Sequence, residues 1–284
     1  MKCKAYAKVN LSLNVVSRRA DGYHELEMIM VPIDLYDVIE ITKADRMHFE
    51  CNDPDLLFDD KNTVVKAIQL LRDKYQFKDN FHVQIEKNIP AQAGLAGGSS
   101  DGATTLILLN ELLGLNITEE ELYVLGNQIG ADVPFCLYGK PAVVKGTGDK
   151  FEQIEIQTPF YLLLVKPLQG VSTKNAFERL NLSIAQHPDY QEVKRALEYN
   201  DYSTFLKKIG NSLEESAFRE VPEIAELKQE LIEFGFDTAL MSGSGSTVFG
   251  ITQKEELLEE AIQHFNRRYP FVKKVQIIND VKKS

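Results

Sequence analysis

The densest run of chemically suggestive residues is Ile89-Pro90-Ala91-Gln92-Ala93-Gly94-Leu95-Ala96-Gly97-Gly98-Ser99-Ser100-Asp101, set between an alternating strand pattern and an apolar helical stripe. Glycines let backbone approach an anion closely, and a helix N-terminus offers unpaired amides and the positive end of its dipole. The run is therefore suited to holding phosphate. It matches neither G-x-x-x-x-G-K-[ST] nor G-x-G-x-x-G and carries no cation, so a bound triphosphate would need Mg²⁺ and a lysine from elsewhere. A plainer reading is a glycine-rich surface turn ahead of a capped helix, with Ser99, Ser100 and Asp101 all of N-cap type. A rival is a serine nucleophile, since Gly98-Ser99-Ser100-Asp101-Gly102 fits G-x-S-x-G. That elbow needs a sharp strand-to-helix turn, and the long loop from Asn88 to Ser100 argues against it.

Three other groups are of interest. Asp132, in Gly130-Ala131-Asp132-Val133-Pro134, follows a helix stop and precedes a proline that restrains its predecessor. It reads as a plain N-cap, or, if Lys8 is near, as half of a lysine–aspartate pair that accepts a hydroxyl proton. Asp21-Gly22-Tyr23-His24-Glu25 presents two rings from a turn; it is either a polar strand start or a place to stack a planar base. No histidine follows His24-Glu25 at zincin spacing. Ser242-Gly243-Ser244-Gly245-Ser246 is either a second backbone nest for phosphate or a flexible turn.

These residues must be held by regular elements. Odd positions from Ala5 to Val15 are apolar and even ones polar, which predicts a strand with one dry and one polar face, Lys8 and Asn10 being neighbours on the latter. Strand-like runs follow at 26–33, 38–42 and 47–51, and then a helix carrying Val64, Ile68, Leu71 and Tyr75. A strand at 81–85 leads into the glycine-rich run and a helix with Ala103, Leu106, Ile107, Leu109 and Leu113. Thr118 and Glu121 predict a capping box for a helix ending at Gly130. The wholly apolar stretch 160–165 predicts a covered central strand, followed by several helices and a strand–loop–strand–helix–strand ending. The layout is α+β, with a domain boundary near residues 150–160.

Length and composition bound the function. The 284 residues suit two domains, and 44% hydrophobic with 26% charged residues is an ordinary globular balance. Lysine plus arginine number 32 against 42 aspartates plus glutamates, a net charge of −10, which offers no general attraction to nucleic acid or to an anionic membrane. An anionic substrate needs locally placed cations. Cys3, Cys51 and Cys136 are scattered and form no C-x-x-C pair, so neither a disulfide framework nor a zinc knuckle is expected. With no signal-like or membrane-length apolar stretch, a soluble protein of the reducing cytoplasm is expected.

Taken in order, Ala7-Lys8-Val9-Asn10-Leu11, Asp21-Gly22-Tyr23-His24, the run 90–101, Gly130-Ala131-Asp132-Val133-Pro134, Gly170-Val171-Ser172-Thr173 and Met241-Ser242-Gly243-Ser244-Gly245 make the chain resemble the GHMP kinase superfamily over nearly its whole length. The resemblance implies a two-domain fold: an ATP-binding half at 1–157, like the second domain of ribosomal protein S5, and a ferredoxin-like half at 158–284. It implies that ATP, with Mg²⁺, phosphorylates the 2-hydroxyl of a cytidyl diphosphate polyol on the way to isoprenoid precursors. Asp132 then matches the catalytic base and Lys8 its partner. Residues 90–100 match the ATP loop, and Asn62 a position on the adenine side. Asn10, Tyr23, His24, Thr173 and Phe177 match substrate contacts. Another alcohol as acceptor, or nucleotide binding without turnover, are the alternatives. Two residues depart from the family pattern. Ala96 replaces a common glycine, which is tolerable if its backbone is not left-handed, and Gly102 replaces a usual alanine.

Overall fold

The computed structural model describes residues 1–283. In chain order the elements are β1 (Lys2–Arg18), β2 (His24–Ala44), β3 (His48–Cys51), α1 (Thr63–Tyr75), β4 (Asn80–Glu86), α2 (Gly97–Leu113), α3 (Glu119–Ile129), α4 (Val133–Tyr138), β5 (Ala142–Gly146), β6 (Lys150–Gln153) and β7 (Tyr161–Lys166). There follow α5 (Thr173–Glu178), α6 (Tyr190–Glu198), α7 (Tyr202–Lys208), α8 (Glu214–Glu220), α9 (Glu223–Phe234), β8 (Thr238–Met241), β9 (Val248–Thr252), α10 (Glu256–Phe265) and β10 (Phe271–Val275). The chain forms two compact units. One gathers Met1–Ala7, Leu35–Pro90 and Ala96–Gly139; the other gathers Lys8–Asp34, Ala91–Leu95 and everything from Lys140 on.

In the first unit, β4 pairs antiparallel with the second half of β2 and parallel with β3. Strand alternation sends Phe81, Val83 and Ile85 to one face, where with Ile39 and Ile41 they pack on Val64, Ile68 and Leu71 of α1 and on Ala103, Leu106 and Leu109 of α2. His82, Gln84 and Glu86 take the opposite, polar face. The two runs expected at 26–33 and 38–42 are one strand, because Leu35 and Asp37 in the gap continue the buried alternation.

Helix starts depart from expectation. Ser99, Ser100 and Asp101 do not cap α2: the helix begins at Gly97, and its cap position is Ala96. The amide of Ser100 already donates to the Ala96 carbonyl at 2.8 Å, so the N-cap-type residues fall inside the helix. A helical Ser100 also excludes the nucleophile elbow, which requires its serine at the apex of the turn. Only half of the capping box at α3 forms: Thr118 Oγ1 accepts from the Glu121 amide at 3.3 Å. The Glu121 carboxylate turns instead to Lys74 Nζ at 2.6 Å and to the Tyr75 hydroxyl at 2.9 Å.

In the second unit, β10, β7, β9 and β8 form an antiparallel sheet in that order. The wholly apolar stretch is β7, covered on both edges as expected, with Leu162, Leu163, Leu164 and Val165 at most 1% exposed. The succession β7, helices, β8, β9, α10, β10 with outer β10 and β8 is the ferredoxin-like split βαβ arrangement. The first half of β2 pairs with β5, which pairs with β6. The polar face of β1 is itself covered: Lys8, Asn10 and Ser12 are buried alongside Val9, Leu11 and Leu13. No helix among the described residues is long and apolar enough to cross a membrane, and the three cysteines are free thiols.

Candidate active site

The glycine-rich run begins on a buried ionic clamp. Lys87, just past the end of β4, is placed between Asp37 of β2 and Asp101 of α2, with Nζ 2.7 Å from Asp101 and closer still to Asp37. Asp37 Oδ1 also accepts the amides of Asn88 at 2.5 Å and Ile89 at 2.8 Å, so one carboxylate fixes the entry to the loop and one ammonium ties it to α2. Burial works against the charged Lys87, yet Asp101 and Asp37 hold its pKa above the ordinary lysine value. Burial pushes Asp101 up to about 7; Lys87 opposes this shift and Asp37 adds to it. Asp101 Oδ1 is buried without a hydrogen-bond partner. Nothing in the sequence singles out Asp37 or Lys87, because ordinary charged residues at strand ends carry no periodicity signal.

Residues 91–95 belong to the second unit and are stitched there by backbone. The Lys8 amide donates to the Leu95 carbonyl at 3.1 Å, and the amides of Ser246 and Thr247 donate to Gln92 and Ala93, each at 3.3 Å. Lys8 Nζ donates to Asn10 Oδ1 at 2.6 Å and to the Gly94 carbonyl at 3.0 Å. Ser242 Oγ donates to the same carbonyl at 3.0 Å, and the Asn10 amide reaches that hydroxyl at 3.3 Å. The structure thus gathers Lys8, Asn10, Gly94 and the Ser242 loop. That loop is not a flexible turn: its residues are buried, and Asn211 Nδ2 grips the Met241 and Gly243 carbonyls at 2.8 Å each.

Gly94 is required at this crossing. Its φ is +71°, and a Cβ would lie 1.9 Å from the Ser242 carbonyl oxygen. Gly94→Ala is expected to cost about 1–2 kcal/mol for left-handed backbone and a further 1–3 kcal/mol or so for the displaced neighbour. Urea unfolding measures the sum.

The N-terminus of α2 receives no side-chain cap, which leaves its first amides for an anion. Ala96 there has φ +58°; the condition under which alanine would be harmless at this position is not met. Ala96→Gly relieves about 1–2 kcal/mol of left-handed strain and forfeits about 0.4–1 kcal/mol through the unfolded chain. A rise in the denaturant midpoint at unchanged slope is the expected result. Gly102 faces α1 closely, since a Cβ would meet Thr63 Cβ at 3.1 Å. Asn62 caps α1, accepting from the Val64 amide at 2.9 Å and donating to the Leu57 carbonyl at 2.9 Å. The adjacent Thr63 hydroxyl donates to the Gly98 carbonyl, so Asn62 lies beside the start of α2. Asp132, half-buried, occupies the cap position of α4, but its side chain makes no capping bond there; the plain N-cap role is not the one it plays.

Of the residues expected to contact substrate, His24 and Phe177 stack with centroids 4.9 Å apart. Burial and then Arg18 hold the His24 pKa below the ordinary value, which keeps the ring uncharged near neutral pH. Thr173 Oγ1 meets Ser244 Oγ at 2.9 Å. Tyr23 is 66% exposed and makes no ring stack among the described residues.

Comparisons with known proteins agree with this layout. The family model for the GHMP kinases N terminal domain matches residues 62–140, and that for GHMP kinases C terminal matches residues 183–270. The chain is 44% identical over 254 residues to 4-diphosphocytidyl-2-C-methyl-D-erythritol kinase of Bacillus cytotoxicus, covering 89% of this chain and 88% of the relative. It is 43% identical over 258 residues to the Bacillus subtilis protein of the same name, covering 90% and 89%. A crystal structure of 4-(cytidine 5'-diphospho)-2C-methyl-D-erythritol kinase superposes with a TM-score of 0.80 at 29% identity, covering 97% of this chain and 99% of the other. Homoserine kinase from Cytophaga hutchinsonii shares the fold with a TM-score of 0.76 at 18% identity, covering 99% and 96%. On two matched family models and relatives this similar along nine-tenths of its length, the chain belongs to the GHMP kinase family.

Proposed function

We propose that this chain transfers the γ-phosphoryl group of ATP to the 2-hydroxyl of 4-diphosphocytidyl-2-C-methyl-D-erythritol, a step toward isoprenoid precursors. The identity of 44% to a kinase of that name, over 89% of the chain, carries this reading. The uncapped start of α2 supports it as a place for the triphosphate, held by the amides around Gly97, Gly98 and Ser99 and by the backbone of residues 90–96. The His24–Phe177 stack supports it on the substrate side, as a flat apolar surface for a pyrimidine. Asn10 and Thr173 act there as polar contacts, Tyr23 as an added ring, and Asn62 sets the adenine side.

Asp132 orients the acceptor hydroxyl and takes its proton, late, because a loose phosphoryl-transfer transition state asks little of a base early on. Lys8, an ammonium held by Asn10 and the Gly94 carbonyl, offsets negative charge at the transferring group. The side chains at the start of α2 fit Mg²⁺: Ser99 and Ser100 offer only hard oxygen donors. When bound, Mg²⁺ neutralises charge on the β- and γ-phosphates. Residues 1–157 and 158–284 serve as the nucleotide and ferredoxin-like halves.

The test is a coupled ADP-release assay with the cytidyl substrate, mevalonate, phosphomevalonate, homoserine and galactose. Turnover with the first alone is expected. Turnover with another alcohol instead overturns the substrate, and ATP binding without ADP release from any of them overturns the kinase.

A further inference from the structure

On the polar face of the first unit's sheet, three ligand-bearing side chains converge. His48 and Glu50 alternate on β3 and so share a face, and His48 pairs directly with His82 of β4. Both imidazoles bring Nε2 near one oxygen: Glu50 Oε1 lies 3.0 Å from His48 and 3.4 Å from His82. The three ligand atoms all lie within 4.8 Å of one another. Four-coordinate zinc with bonds of about 2.0–2.1 Å sets its ligand atoms roughly 3.4 Å apart, so little movement would close the set around an ion.

A second observation points the same way. His82 Nε2 is shut off from solvent and has no hydrogen-bond partner, although Glu50 is in ion-pair range. Buried polar atoms are ordinarily paired; a coordinated cation would use this lone pair. Glu50 is held for the purpose, since Gln84 Nε2 donates to its other oxygen at 2.9 Å, the kind of outer contact that orients metal ligands. Glu50 and Gln84 also line a shallow hollow of about 310 Å³ rimmed by Glu40 and Glu86, with Lys2 paired to Glu40 at 3.7 Å. The surroundings thus favour a cation.

We propose that His48, Glu50 and His82 bind a divalent transition-metal ion, Zn²⁺ foremost, with water completing the coordination. Two imidazoles and a carboxylate suit Zn²⁺, Ni²⁺ or Co²⁺ and not Mg²⁺. The ion fastens the edge strand β3, four residues long, to β4. It is distinct from the ion that accompanies the nucleotide.

The experiment titrates chelator-stripped full-length protein with Zn²⁺ by calorimetry, in millimolar Mg²⁺, and follows the melting temperature. One ion per chain and a raised Tm are expected. His48→Ala should weaken binding about 100-fold, and Gln84→Ala about 10-fold. His48 is 53% exposed, so its variant retains the core. Co²⁺ supplies a second readout: visible bands of nitrogen and oxygen ligation support the site. A thiolate charge-transfer band would assign the ion to a cysteine such as Cys51 and overturn the proposal. So would unchanged Zn²⁺ affinity in His48→Ala, or no stoichiometric binding in the parent protein.

Discussion

Asp132→Asn is expected to lower kcat by about 10² to 10⁴ while ATP binding is kept. The substitution retains the shape of the side chain and removes its negative charge, and with it the capacity to take a proton. The near-isosteric change is expected to keep the fold, because α4 is anchored by buried Val133, Pro134 and Phe135. ATP affinity should hold because amides around Gly97 and Gly98, not Asp132, are assigned to the phosphates. Steady-state turnover at saturating substrate, beside nucleotide binding by calorimetry, separates the two terms. A near-normal rate would remove Asp132 from the chemistry.

Lys87→Met is expected to destabilise the protein by about 3–5 kcal/mol, since removing one partner strands buried opposite charge. The Lys87 side chain is 12% exposed, while those of Asp37 and Asp101 are 0% and 4% exposed. Asp37 keeps its two backbone amides in the variant; Asp101 keeps nothing comparable and should protonate more readily. The deficit should therefore shrink as pH falls. In the parent protein the sign follows from linkage. Burial raises the Asp101 pKa in the folded state to about 7, above an unfolded value of about 3.9. Between these values the native state binds the extra proton, so stability from this group is full below about pH 4 and lost as pH rises through 7. Asp101→Asn should abolish that slope and cost less than Lys87→Met. Urea unfolding of the three proteins at pH 5 and pH 8 measures both effects, and a Lys87→Met deficit that grows on acidification would contradict the clamp.

Patterned features were readable in the sequence. Period-2 alternation located β1 and β4, a solid apolar stretch located β7, and the ordered glycine and serine motifs indicated the kinase family. What escaped was set by tertiary contact. Lys8 and Asn10 sit on a face that looks solvent-exposed by pattern and is covered by residues more than eighty positions away. Asp37 sits in an apparent break between strands, because one buried carboxylate with amide and ammonium partners looks like loop polarity. The start of α2 was misjudged by cap preference: Ala96 adopts a left-handed backbone that no alanine signals. The His24–Phe177 stack joins residues 153 positions apart (177 − 24 = 153), which no local window joins. His48, Glu50 and His82 become a cluster only through the register of β3 on β4.

The division of the chain bears on its manufacture. The polypeptide leaves the first unit after Ala7, re-enters at Leu35, departs for Ala91–Leu95 and comes back at Ala96. No single cut yields either unit whole: a fragment ending at Gly139 lacks the Ser242 carbonyl against which Gly94 is fitted, and one starting at Lys140 lacks β1 and half of β2. A ribosome must therefore deliver Ser242, Ser246 and Thr247 before residues 91–95 can take up their final hydrogen bonds. The candidate phosphate loop is thus completed only after Thr247 has been made, well behind its own residues, so a product that stops short of Ser242 carries the loop's sequence without its shape.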